Sequence, residues 1–156
     1  QDQPELAVGV ASGTTLIPIR ISFAGRVDLD ADAEVGDFII WADLAANAPT
    51  DGTSTTETPV NMLHGATDFG GRAYSAYTAD LTDPTVSEIL MYKNIRESET
   101  TAAGSQTVAF DALYEPLLPM HMSGPASFYV AFGGTAAVTG AISCTFAAVP
   151  NARYSR

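Results

Sequence analysis

The side chains best placed for chemistry are four carboxylates, Asp28, Asp30, Asp32 and Glu34, at alternate positions between Val27 and Val35. In an extended chain that spacing projects all four from one side, and clustered oxygen ligands are what calcium takes. The EF-hand arrangement is absent. Ala33 stands where its turn glycine belongs, and the twelfth position from Asp28 is Ile39 rather than glutamate. Val27, Leu29, Ala31, Ala33 and Val35 explain the same alternation without a metal, as a half-buried strand with a solvated acidic face. The solvated face is the expectation. Calcium is the one cofactor these residues admit, and no other is expected.

Little else has the spacing of a reactive centre. His64 and His121 lie far apart, neither has a ligand-spaced partner, and no HExxH or CxxC occurs, so zinc is unsupported. No GxSxG surrounds a serine, and no glycine-rich phosphate loop carries its lysine. Cys144, the single cysteine, sits mid-strand on an apolar face and reads as a small hydrophobe. Trp41 with Tyr74, Tyr77, Tyr92 and Tyr114 has the makings of a sugar-stacking platform. Its neighbours Ile40 and Ala42 assign Trp41 to the core instead. No enzymatic activity is expected.

Charge narrows the partners. Eighteen acidic residues against seven basic ones give a net charge of -11, and Lys93 is the only lysine. Phosphate backbones and anionic membranes repel such a chain, so neither nucleic acid nor membrane is expected as a partner. From Pro116 to Ala152 there is no Asp, Glu, Lys or Arg. Pro119, Pro125, Gly133, Gly134 and Gly140 argue against a spanning helix in that run. No charged-then-apolar signal segment opens the chain, and Gln1 in place of Met is what a processed chain shows.

The elements that must position these residues read as strands. Residues 1–13 form an extended N-terminal arm in which Leu6, Val8 and Val10 alternate like a strand added to a neighbouring subunit; the same composition also suits an unpacked terminus. Residues 14–150 form one domain and 151–156 a tail. Ile17, Ile19, Ile21 and Phe23 face one way in the first strong strand, and Pro18 requires an edge or a bulge there. Asp37 to Leu44 reads as a second strong strand, apolar on both faces over Phe38 to Ala42, as a central strand is. Ala45 to Pro59 and Glu97 to Gln106 read as loops. Val60 to Leu63 and Ala73 to Leu81 read as strands. Asp83-Pro84 has the signature of a helix start, leading into a strand or helix over Glu88 to Ile95. About eight short strands with at most one short helix imply an antiparallel β-sandwich, jelly-roll-like first and immunoglobulin-like second.

Ser127 to Val149 reads as a closing hairpin turned at Gly133-Gly134. Phe128, Val130 and Phe132, then Val138, Ile142, Cys144 and Phe146, form its apolar side. The other side, with Tyr129, Ala131, Thr139, Ala141, Ser143 and Thr145, is small and neutral where a solvated strand face would carry charge. Uncharged, close-fitting surfaces are what interface cores show. The sequence therefore points to a structural subunit of a virus particle, coat or decoration, in a virion or extracellular setting. Its partners would be copies of itself and other structural proteins of that assembly. A secreted or surface-displayed carbohydrate-binding or adhesin-like module is the alternative.

Overall fold

A computed structural model describes residues 3–29, 35–46, 54–60, 62, 71–78, 81, 87–96, 106–134 and 136–151. Among these residues ten strands are present: β1 (Leu6–Val10), β2 (Thr14–Leu29), β3 (Val35–Asp43), β4 (Thr55–Thr56), β5 (Gly71–Ser75), β6 (Ser87–Arg96), β7 (Gln106–Tyr114), β8 (Met122–Ser123), β9 (Ala126–Gly134) and β10 (Ala137–Pro150). They form two antiparallel sheets. One has six strands in the order β4-β5-β1-β9-β3-β6; the other runs β10-β2-β7, with β8 also paired to β2.

The molecule is an all-β sandwich, and its pairing is nested. β1 pairs with β9, β2 with β7, β3 with β6 and β4 with β5, as when one long antiparallel ribbon is rolled up. That is the jelly-roll-like plan, with two departures. The β4-β5 tip lies on the outer side of β1, and β10 adds a further strand beside β2.

Alternation explains which side chains meet between the layers. Val8, Val10, Phe38, Ile40, Phe128 and Val130 point inward from the larger sheet, against Leu16, Ile21, Phe23, Val27 and Phe110 from the smaller. Phe23 sits at the middle, with ring centroids 5.9 Å from Phe38, 5.8 Å from Phe110 and 4.6 Å from Phe132.

Several expectations change. Ser127 to Val149 is not a hairpin. β9 lies between β1 and β3 while β10 joins the other sheet, so the chain around Gly133-Gly134 crosses between layers. Leu6 to Val10 is not an outlying arm. It is an interior strand hydrogen-bonded on both sides within its own chain, with Val8 and Val10 1 % and 0 % exposed. β2 does not keep one phase: Leu16 and Ile21 are both in the core, while Ile19 is 42 % exposed. A register shift falls opposite Thr145/Phe146, where Phe146 pairs with Pro18 and Thr145 with Arg20, and this bulge turns the alternation over. Pro18 also sits between the reach of β7, which ends at Ile21, and that of β8, which begins at Leu16. Its missing donor therefore leaves no ladder bond unmade. Residues 88–95 are strand, in β6, one of the two alternatives open for them; the expected helix start at Asp83-Pro84 lies outside the described residues.

Candidate assembly surface

The two long sides of the sandwich differ. On one, β6 faces β7, and Lys93 closes the gap: its ammonium donates to the Asp111 carbonyl and lies 4.8 Å from the Phe110 ring centroid. Among the described residues the other side is open. β10 ends its sheet, whereas the facing sheet continues past β1 as β5 and β4. A cleft of about 570 Å³ lies between them, walled by Val138, Ile142, Cys144 and Phe146 of β10 and by Leu6, Val8 and Ala73 opposite. Glu5, Glu57 and Thr58 stand at its edge. Burial raises the Glu5 carboxyl above the ordinary carboxylate range. The Ser75 hydroxyl donates to Glu57 Oε1. Burial also pushes the Cys144 thiol up to about 12, which leaves it without nucleophilic character near neutral pH.

β10 has a second unusual property. It is 14 residues long, carries no charge, and among the described residues pairs on one side only, with β2. Edge strands of monomeric proteins are ordinarily blunted by lysine, by an inward charge or by proline in the strand. Within β10 the devices of that kind are the bulge at Thr145/Phe146 and the terminal Pro150. The outward residues Thr139, Ala141 and Ser143 are exposed, and Thr145 is half-buried. The outward residues of β10 itself are thus uncharged, while Arg26 and Arg20 of β2 stand beside Thr139 and Thr145. On β9 the expected neutral face is already covered. Tyr129 and Ala131 are 5 % and 0 % exposed, beneath a small outer cluster of Ala7, Tyr74 and Tyr77 against which Trp41 and Leu81 pack.

No protein-family model, curated protein or solved structure matches this chain. Function must therefore be argued from the surface itself.

The aromatic residues considered for sugar stacking are largely committed. Trp41 stacks on Tyr129 with centroids 5.1 Å apart and planes 16° from parallel. Tyr74, Tyr77 and Tyr114 are buried. Tyr92 is exposed, and its hydroxyl donates to Asp37 Oδ1 at 2.8 Å. Of the four acidic candidates for a cation, Asp28 alone is described, its Oδ1 accepting from the Thr107 hydroxyl at 2.7 Å; Asp30, Asp32 and Glu34 lie outside the described residues. No group of three or more metal-ligating side chains occurs among the described residues. Asp43 is a buried carboxylate, 4 % exposed, and it accepts the backbone N–H groups of Ala45 and Ala46 at 2.8 and 3.1 Å. Beside it the Ser127 hydroxyl donates to the Ala46 carbonyl and lies 3.0 Å from the Tyr129 hydroxyl. These groups are hydrogen-bonded where β3 ends.

Sequence reading passed over one surface feature. Leu117 and Leu118 are 100 % and 90 % exposed on the connection from β7 to β8. The signal was present in the letters, as two leucines held between Pro116 and Pro119 within a charge-free run.

Proposed function

We propose that this chain is a structural assembly subunit, a coat or shell-decorating component of a virus particle that works through contacts between copies. The observation that carries the reading is β10: an uncharged 14-residue edge strand whose outward face of alanine, threonine and serine is exposed. An edge of that length without charge invites association, and charge depletion suits a surface that becomes buried in a symmetric assembly. The exposed leucine pair and the open cleft add apolar area of the kind that marks interaction sites. The net charge of -11 suits a subunit facing solvent better than one lining a packaged nucleic acid. The step from sandwich to virion is an analogy at the level of fold.

Sedimentation and negative-stain imaging of the purified chain test it. Closed or extended multimers are expected over a micromolar concentration series. Ala141→Lys puts a charge on the exposed face of β10 and should leave the monomer's melting temperature nearly unchanged while preventing association. A wild-type chain that stays monomeric throughout, or an Ala141→Lys variant that assembles normally, would count against the proposal.

A further inference from the structure

Of the eight large apolar side chains exposed among the described residues, four gather around one stretch of β2. β7 and β8 both pair with the side of β2 that β10 leaves free, β7 from Ile21 onward and β8 at Thr15 and Leu16. The connection between them therefore runs beside Pro18 to Arg20, and it carries the exposed Leu117 and Leu118. The bulge in β2 brings Ile19 to the same surface, and Leu113 stands on the outer side of β7 opposite Ser22. Val60 and Met62 follow β4, and Ile89 and Tyr92 sit on β6, so neither pair belongs to this surface. Two charges border the patch. Arg20 and Glu115 occupy the positions just beyond the Ile21–Tyr114 pair; both are exposed, and neither side chain has an ion pair or hydrogen bond among the described residues.

We infer that the outer face of β2 and β7 packs on the same face of a second copy, about a two-fold axis that runs along the strands between them. This contact rests on the assembly reading, since copies must meet, and it names where they do. Such an axis lays β2 of each copy over β7 of the other and keeps the rows of the ladder in step. Arg20 of one copy then meets Glu115 of the other, and the reverse pair forms by symmetry. In the next row Ser22 meets Leu113, small against large, with Ile19 and the two leucines beside them. Further along, Ala24 meets Asp111 and Arg26 meets Ala109, so no like charges are opposed. An apolar centre with a reciprocally paired rim is the anatomy of a protein interface. That self-complementarity selects a copy of this chain as the occupant. An axis across the strands through Ala24 would instead set Asp111 against Asp111. The larger sheet offers no equivalent face, because Tyr129 and Ala131 on its outer side are already covered. The inferred face also continues onto β10, whose Ser143 lies in the row of Ser22 and Leu113.

Charge reversal tests the contact in a way that a folding defect does not imitate. Arg20→Glu and Glu115→Arg each oppose like charges in both symmetry-related pairs, and each should weaken self-association at least tenfold in sedimentation. Mixed in equal amounts, the two variants restore opposite charges in both pairs, and association should return to near the parent's level. The double variant Leu117→Asp/Leu118→Asp should melt like the parent, because both side chains are already exposed, and should associate at least tenfold more weakly. Parent-like association of either charge variant or of the double aspartate variant, or no recovery on mixing, overturns the two-fold contact while the assembly reading stands. A parent chain that is monomeric at every concentration removes both. Binding of that monomer to phosphatidylcholine vesicles, lost in the double aspartate variant, assigns the leucines to a lipid surface and likewise overturns the contact.

Discussion

Gly25 of β2 and Gly140 of β10 face each other across the ladder, and the ring of Phe23 fills the space that a side chain on either would need. A Cβ on Gly140 would lie 2.3 Å from the Phe23 ring, and one on Gly25 would lie 2.4 Å from it. The pair of glycines is what lets the central phenylalanine lie flat over two strands and reach Phe38, Phe110 and Phe132. Gly140→Ala should destabilise the fold by about 1–3 kcal/mol through overpacking. Urea denaturation measures it, and an unchanged midpoint would show that Phe23 moves aside freely.

Asp43 should be nearly as sensitive despite being far from the main core. Its carboxylate satisfies two backbone donors at the end of β3. Asp43→Ala leaves those N–H groups without their acceptor and is expected to cost about 1–3 kcal/mol. Asp43→Asn, which keeps an acceptor oxygen, should cost less. Thermal melts of the two variants side by side check the ordering.

Cys144 offers a kinetic readout. With its thiol pushed to about 12 from 9.0, the folded chain holds roughly a thousandfold less thiolate than the unfolded chain near neutral pH. Labelling by a thiol reagent at pH 8 should be slow in buffer and fast in denaturant. Similar rates in both would mean that the side chain is not held on the cleft wall.

Glu5 sets a pH trend. Its carboxyl titrates higher in the folded chain than when unfolded, because burial disfavours the charged form. The folded state therefore holds more protons than the unfolded one across that window, and this group's contribution to stability falls as pH rises through it. Glu5→Gln should remove that part of the slope and raise stability at neutral pH. A variant whose stability follows the same pH profile as the parent would contradict the assignment.

Much of the fold was legible where burial repeats locally. Asp37 to Leu44 read as a central strand because both faces are apolar over Phe38 to Ala42, and β3 is buried on both faces there, with Phe38 and Ile40 in the core and Ile39 5 % exposed on the other side. Pro18 read as an edge or a bulge, and the bulge is there, opposite Thr145/Phe146, although β2 is the middle strand of its sheet. Gly133-Gly134 misled, because turn chemistry is local whereas the choice of sheet depends on which distant strand offers an edge. Leu6, Val8 and Val10 carried the right period with the wrong partner for the same reason: alternation says that a strand will be covered, not by whom.

The amino-acid order alone determined an antiparallel β protein, a net charge that repels polyanions, and a C-terminal run whose outer residues carry no charge. All of these follow from side-chain type and a period of two. Only the tertiary structure decided that β9 and β10 part into different sheets, that β1 is interior, and that one flank of the sandwich is closed by Lys93 while the other gapes beside β10. The reason is that a strand's pairing partner is chosen by long-range packing among all the strands at once, and no local pattern encodes which edge is left over.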